Sequence, residues 1–203
     1  MSDRETLTHL VAAVVPCDAI EAAHQADVVD WIASGVDIYR LQKPATPPKH
    51  LVVYAVILDA ARGHVFLIDH RKARRWLPTG GHVDPGEHPF TAARRELLEE
   101  TGTNLPALSE APLLLTVTDV LGSGDARHTD VTLWYAFTAS MDASFALDAA
   151  ECTQGAWFGA GALSSIACEV HLPRFMAKIG RWRHPGSAAE AAVPVAADDA
   201  DYR

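Results

Sequence analysis

The chain has little cysteine, no excess of positive charge and no apolar run of membrane length. Its three cysteines, Cys17, Cys152 and Cys168, form no CxxC pair and no framework spacing. That excludes a disulfide scaffold and reads as reduced thiols in a cytoplasmic protein. With neither a signal-peptide pattern nor a membrane-length stretch, no membrane partner is expected. Lys and Arg number 17 against 26 Asp and Glu, a net charge of -9, and no basic stripe gathers on any predicted element. Nucleic acid and anionic membranes are therefore poor partners. The ten histidines include no H-x-x-x-H pair or zinc spacing, and no Ser or Cys stands in a recognisable nucleophile constellation. Internal repeats are absent.

What is present suits one domain with additions: 203 residues, 49% hydrophobic. Leu7, Leu10, Val11 and Val14 mark a first helical stripe before Pro16. A second helix opens with Asp18 and Glu21 spaced like a capping box, runs through Val28, Trp31 and Ile32, and stops at Gly35. The following Lys43-Pro-Ala-Thr-Pro-Pro-Lys reads as a stiff linker. From His50 the pattern turns to strands, at Leu51 to Leu58 and Val65 to Asp69 around an Ala-Ala-Arg-Gly turn, then at Leu113 to Val120 and Val131 to Thr138. Leu172, Phe175, Met176, Ile179 and Trp182 recur at helical spacing. After Pro185 the chain is Ala-rich and acidic without apolar periodicity, as in a disordered tail. The expected organisation is a helical extension over 1–46, a catalytic domain over 47–184 and a tail over 185–203.

The most informative stretch is GHVDPGEHPFTAARRELLEETG, from Gly81 to Gly102. Pro89 suits a first helical turn, TAARRELLEE is rich in helix formers and Gly102 supplies a stop, so a helix is expected from about His88 to Thr101. On it Glu96, Glu99 and Glu100 stand at i, i+3 and i+4, stacking three carboxylates on one side. Phe90, Leu97, Leu98 and Thr101 would face a core. Three like charges so close raise each other's proton affinity unless a cation lies between them, and hard oxygen ligands suit Mg2+ or Mn2+. Upstream, Gly80 and Gly81 present bare backbone to a metal or phosphate, and Pro85-Gly86 marks a tight turn that brings Glu87 towards the helix.

These residues reproduce the pattern G-x5-E-x7-R-E-U-x-E-E-x-G, with U aliphatic, through Gly81, Glu87, Arg95, Glu96, Leu97, Glu99, Glu100 and Gly102. A random window would match its fixed positions with a probability on the order of 10^-8. The string resembles the signature of the Nudix hydrolases, and the likeness runs through roughly His50 to Trp182, closest to the MutT-like nucleoside triphosphate pyrophosphatases. The resemblance implies an α/β/α sandwich with a mixed sheet, here carrying the N-terminal helical extension, where periodicity alone supports only a mixed α and β domain. It implies that Arg95 orients helix and loop by pairing with carboxylates, Glu87 among them. It further implies that Glu151, six residues before Trp157, completes a metal site made by Glu96, Glu99, Glu100 and a Gly80 or Gly81 carbonyl. Glu99 or Glu100 would be the general base.

Two departures from the family pattern stand out. Thr103 replaces the final aliphatic residue, and Leu172 falls where MutT-like enzymes place the asparagine that reads an oxidised guanine, whose hydrogen bonds a leucine cannot make. Marks of the NADH, ADP-ribose and diadenosine polyphosphate subfamilies are missing, so base, sugar and leaving group stay open. His82 and His128 are candidate substrate contacts or bases, and Arg75, in a run with Arg71, Lys72 and Arg74, is a candidate phosphate contact. The implied activity is Mg2+-dependent hydrolysis of a nucleoside diphosphate linked to a further group, most simply a nucleoside or deoxynucleoside triphosphate. ADP-ribose or a related nucleotide sugar or dinucleotide, and a binding-only regulator, are the alternatives. An isopentenyl diphosphate isomerase lacks its expected pre-box cysteine here. The N-terminal helices would cover the sheet, shape the pocket or make a homodimer contact.

Overall fold

In the computed structural model, residues 2–59, 61, 63–121 and 127–183 are described. Two helices, α1 (Asp3–Ala13) and α2 (Ala19–Ala33), precede strands β1 (Lys49–Asp59), β2 (His64–His70), β3 (Arg75–Leu77) and β4 (Thr79–His82). The box helix α3 (Pro89–Thr101), strands β5 (Leu114–Val120), β6 (His128–Thr138) and β7 (Cys152–Gly159), a 3-10 turn (Ala160–Ser165) and α4 (Leu172–Arg183) follow. The sheet runs β3-β2-β1-β6-β5, with β4 paired to β1 and β7 to β2. It is mixed, since β1 and β6 are parallel while the other pairs are antiparallel. No described helix is long and apolar enough to cross a membrane.

Strands β1 and β6 are nearly continuous apolar runs because both of their faces are covered. Odd positions such as Leu51, Val53, Leu133 and Tyr135 pack with α1, α2 and α3. Even positions such as Val56, Leu58, Trp134 and Ala136 pack with α4. Helix α3 starts and stops as its sequence dictates: Pro89 fills the first turn, His88 caps it by accepting from the Phe90 amide (3.2 Å), and Gly102 closes it at φ 68°. One expectation fails on this helix. Leu98 is 44% exposed, and Ala92 and Ala93 take the core positions beside Leu97, their small side chains letting the helix lie close to the sheet.

The first two helices are part of the main core. Leu7, Val11, Val14, Val28, Trp31, Ile32 and Ile38 share one cluster with Leu51, Val53, Leu115 and Leu133, so the extension covers the sheet. Asp18 caps α2 through the Glu21 amide (2.8 Å), but Glu21 does not complete a reciprocal box. Its carboxylate turns inward, fully buried, and accepts from the Cys17 amide (2.7 Å) and the Leu115 amide of β5 (3.2 Å) while pairing with Lys178 of α4 (2.7 Å). Glu21 thus ties α2, β5 and α4 together. Removing one partner of such a pair strands the other charge, so Glu21→Ala should cost about 3–5 kcal/mol in denaturant unfolding; a loss below about 1 kcal/mol would show that the link is not structural.

Three further stretches depart from the sequence reading. The segment expected as a stiff linker folds back on itself, with Leu41 donating to the Thr46 carbonyl (2.7 Å), Thr46 donating to the Gln42 carbonyl (2.9 Å) and Ala45 buried. Residues 79–82, for which no strand was expected, form β4, in which Gly80 meets Tyr54 and Gly81 meets Val53. Strand β7 was not anticipated at all, because Gly155 and Gly159 and the polar Thr153-Gln154 hide its pattern. The tail from 185 and residues 60 and 62 of the expected β1–β2 turn lie outside the described residues.

Candidate active site

Strand β4 and helix α3 are pressed together along their polar edges. A methyl group on Gly81 would sit 2.5 Å from the Glu96 carboxylate, so a side chain there would push that carboxylate out of its present position. The Gly80 amide donates to Glu100 Oε2 at 2.7 Å. Glycine is required by approach at Gly80, where any Cβ would collide with the Val53 carbonyl, whereas at Gly81 the movable end of the Glu96 side chain stands in the way.

Arg95 organises the other side of the helix. Its Nε and Nη2 grip both oxygens of Glu87 (3.0 and 2.9 Å), Nη1 reaches Glu96 (2.8 Å) and Glu99 (3.4 Å), and Nη2 also donates to the His82 carbonyl (3.0 Å). One guanidinium thus ties the turn at Glu87, the end of β4 and the acidic face of α3, a use for which its planar fork is suited. Burial alone would raise the Glu87 carboxyl, but the Arg95 hydrogen bonds, the Asp84 amide and the Arg95 charge together outweigh it and hold it below its ordinary value.

Among the box acids Glu100 is the most withdrawn from water, 5% exposed. Burial pushes its carboxyl up to about 8, against the Gly80 hydrogen bond and with help from Glu96, Glu151 and Asp148. Burial also raises Glu96. Glu99 stands at the rim with its side chain 58% exposed. Glu151 comes from the loop ahead of β7, which is anchored on α3 by the Asp148 amide donating to the Glu100 carbonyl (3.2 Å) and carries the Arg71 amide on the Glu151 carbonyl (2.9 Å). The Glu151 carboxylate also lies 3.5 Å from His70 Nε2.

Glu87, Arg95, Glu96, Glu99, Glu100, Gly80, Gly81 and Glu151 are thus assembled in one place, from four separate chain segments. His70 and Asp148 border them and had no signal in the sequence, since one is at the end of an ordinary strand and the other is one acid among several. Arg75 opens β3, beyond the turn at 71–74. Leu172 is fully buried in the α4-side cluster, across the sheet from α3. His82 and His128 also lie on that opposite side, where they surround His50 and Asp130, neither of which the sequence had marked as a site residue. His82 Nε2 is 3.1 Å from His50 Nε2, the His50 and His128 rings stack with centroids 5.1 Å apart, and Asp130 lies 3.5 Å from His50 and 3.3 Å from His128. Burial lowers His50 and, together with Arg40 and His50, takes His82 down to about 4.

These shifts fix a pH dependence. Histidines whose folded pKa is depressed add stability as pH rises to their unfolded value near 6.5, and nothing more above it. Glu100 and the equally buried Glu169, both raised to about 8, act in the opposite sense: between pH 6.5 and 8 the native state keeps protons that the unfolded chain has lost. The Tm in chelator should therefore fall across that window, and Glu100→Gln should remove part of the slope. Equal slopes in the two proteins would contradict the burial of Glu100.

Residues 48–178 match the NUDIX domain. Among curated proteins, the m7GpppN-mRNA hydrolase NUDT17 of Danio rerio is 43% identical over 56 residues, 25% of this chain and 19% of that protein. The chain thus spans about a fifth of the length of that relative. Among solved structures, a MutT protein from Methanosarcina mazei Go1 is 18% identical with a TM-score of 0.52, covering 68% of this chain and 96% of that one. The dihydroneopterin triphosphate pyrophosphohydrolase of E. coli is 15% identical with a TM-score of 0.53, covering 69% and 95%. At these identities the two structures speak for the fold alone.

Proposed function

The chain belongs to the NUDIX domain family, and from that premise we propose that it is a Mg2+-dependent hydrolase of a nucleoside diphosphate linked to a further group, in the simplest case a nucleoside or deoxynucleoside triphosphate. The observation that carries the proposal is the burial of Glu100 among Glu96, Glu151 and Asp148, which leaves a carboxyl raised to about 8 beside the bare backbone of Gly80 and Gly81. Oxygen donors converging at such cost fit a hard dication. Glu96, Glu99, Glu100 and Glu151, with a Gly80 or Gly81 carbonyl, would hold it. When bound, Mg2+ would supply polarisation of the diphosphate and a water of lowered pKa.

The chain's own residues account for the remaining work. Arg95 keeps Glu96 and Glu99 in place through its grip on Glu87, and the Gly80 amide orients Glu100. Glu99 or Glu100 takes the proton of the attacking water. Water adds to an internal phosphorus, the anhydride bond breaks, and a nucleoside monophosphate and pyrophosphate leave. The test is a Mg2+-dependent release assay over nucleoside triphosphates, oxidised nucleotides, ADP-ribose, dinucleoside polyphosphates and the cap dinucleotide that the Danio relative's name suggests. One substrate far above the rest supports the reading. Silence across the panel from folded protein favours the binding-only alternative.

A further inference from the structure

We propose that His50, His128 and Asp130, with His82 beside them, form a second metal site, for one transition-metal dication of the zinc class, on the face of the sheet opposite the box carboxylates. This inference does not depend on the catalytic reading. The residues are brought together by strand pairing: His50 is directly paired with Asp130 across β1 and β6, and His82 with Val52 across β4 and β1. His50, Asp130 and His128 fall on the even-numbered register that carries Val56, Leu58, Trp134 and Ala136 to the α4 side.

The protonation of His50 follows from its partner. Its ring is fully buried, and Nδ1 lies 2.9 Å from the Pro47 carbonyl, which can only accept, so Nδ1 carries the hydrogen and Nε2 presents a lone pair. That lone pair stands 3.5 Å from Asp130 Oδ1, itself a buried oxygen that makes no hydrogen bond among the described residues. His128 Nε2 is 3.3 Å from the same oxygen, and ligand atoms of all three residues lie within 4.8 Å of one another. Donor atoms on a tetrahedral zinc ion with bonds of about 2.0–2.1 Å are about 3.3–3.4 Å apart, close to the two spacings found here. Charge-assisted hydrogen bonds would draw the same atoms to about 2.7–2.9 Å. His82 Nε2, 3.1 Å from His50 Nε2, is placed to become the fourth ligand by a small side-chain adjustment.

Imidazole nitrogens with one carboxylate select zinc-like ions, whereas the all-oxygen box selects Mg2+. The His128 and Asp130 side chains are 18% and 19% exposed, which leaves an entry path. Arg40 acts electrostatically on His50 and His82, so it opposes a cation and would favour an anion.

The experiment titrates the metal-stripped full chain with ZnCl2, and with Co2+ as a visible probe of coordination, in millimolar Mg2+ to occupy the box. His50 is too buried for a safe substitution, so His128→Ala and Asp130→Asn are used, with their folding checked by thermal melts. The expected result is one equivalent of zinc and a tetrahedral Co2+ spectrum. Each of the two variants should weaken binding more than about 100-fold, beyond what outer-shell changes alone produce. Binding should be retained in Glu96→Gln and Glu100→Gln and tightened in Arg40→Ala. Unchanged zinc affinity in folded His128→Ala and Asp130→Asn, or loss of zinc only in the box variants, would overturn the site. So would binding of inorganic phosphate in place of zinc, weakened by Arg40→Ala.

Discussion

Glu100→Gln should lower kcat by about a thousandfold or more, comparable to the loss of a principal electrostatic contributor at other active sites, while the protein melts no earlier than the parent at pH 7.5. The substitution keeps the volume and an oxygen to accept the Gly80 amide, and it removes a buried carboxyl that is raised to about 8. A role confined to packing predicts the reverse, with rates near normal and stability changed. The pair of measurements on one variant therefore separates chemistry from structure. Near-parental turnover by a folded Glu100→Gln protein would remove the site from the account.

Deleting residues 1–46 should abolish cooperative folding. The Leu51, Val53, Leu115 and Val131 side chains share a cluster with α1 and α2 and would lose cover, at ~1.5–3 kcal/mol each. That loss is of the order of the whole stability of an ordinary domain, ~5–15 kcal/mol. The deletion also strips the Leu115 amide and Lys178 of the Glu21 carboxylate. The check is a thermal or denaturant melt of the truncated chain against the full one. A cooperative transition within a few degrees of the parent would show that the helices are an accessory.

How much of this was legible in the sequence depended on whether the determinants were local. The box helix was readable from Pro89 to Gly102 because caps, helix formers and carboxylate spacing all act within one element. The pairing of Arg95 with Glu87 came from the family resemblance rather than from the spacing itself, since nothing in one segment says which carboxylate a guanidinium will grip. Strand β4 was missed because the glycines that make its close approach to Glu96 possible also erase the strand pattern. The side of α3 that carries Leu98 was misjudged because a core position can be filled by alanine when helix and sheet lie close, and periodicity rewards the larger side chain. Of the cluster of His50, His82, His128 and Asp130, only His82 and His128 were marked, each singly, and nothing joined them to His50 and Asp130. Its members are assembled across strands by register, which no single segment encodes.

The central claim, that this chain hydrolyses a diphosphate bond with water, is tested most directly by turning over the best substrate of the panel in heavy-oxygen water with Mg2+ and analysing the products by mass. The account predicts two phosphate-bearing products, one of them carrying a single heavy oxygen on phosphorus, and neither formed when chelator is present. Substrate returned intact, or products without the label, would contradict it.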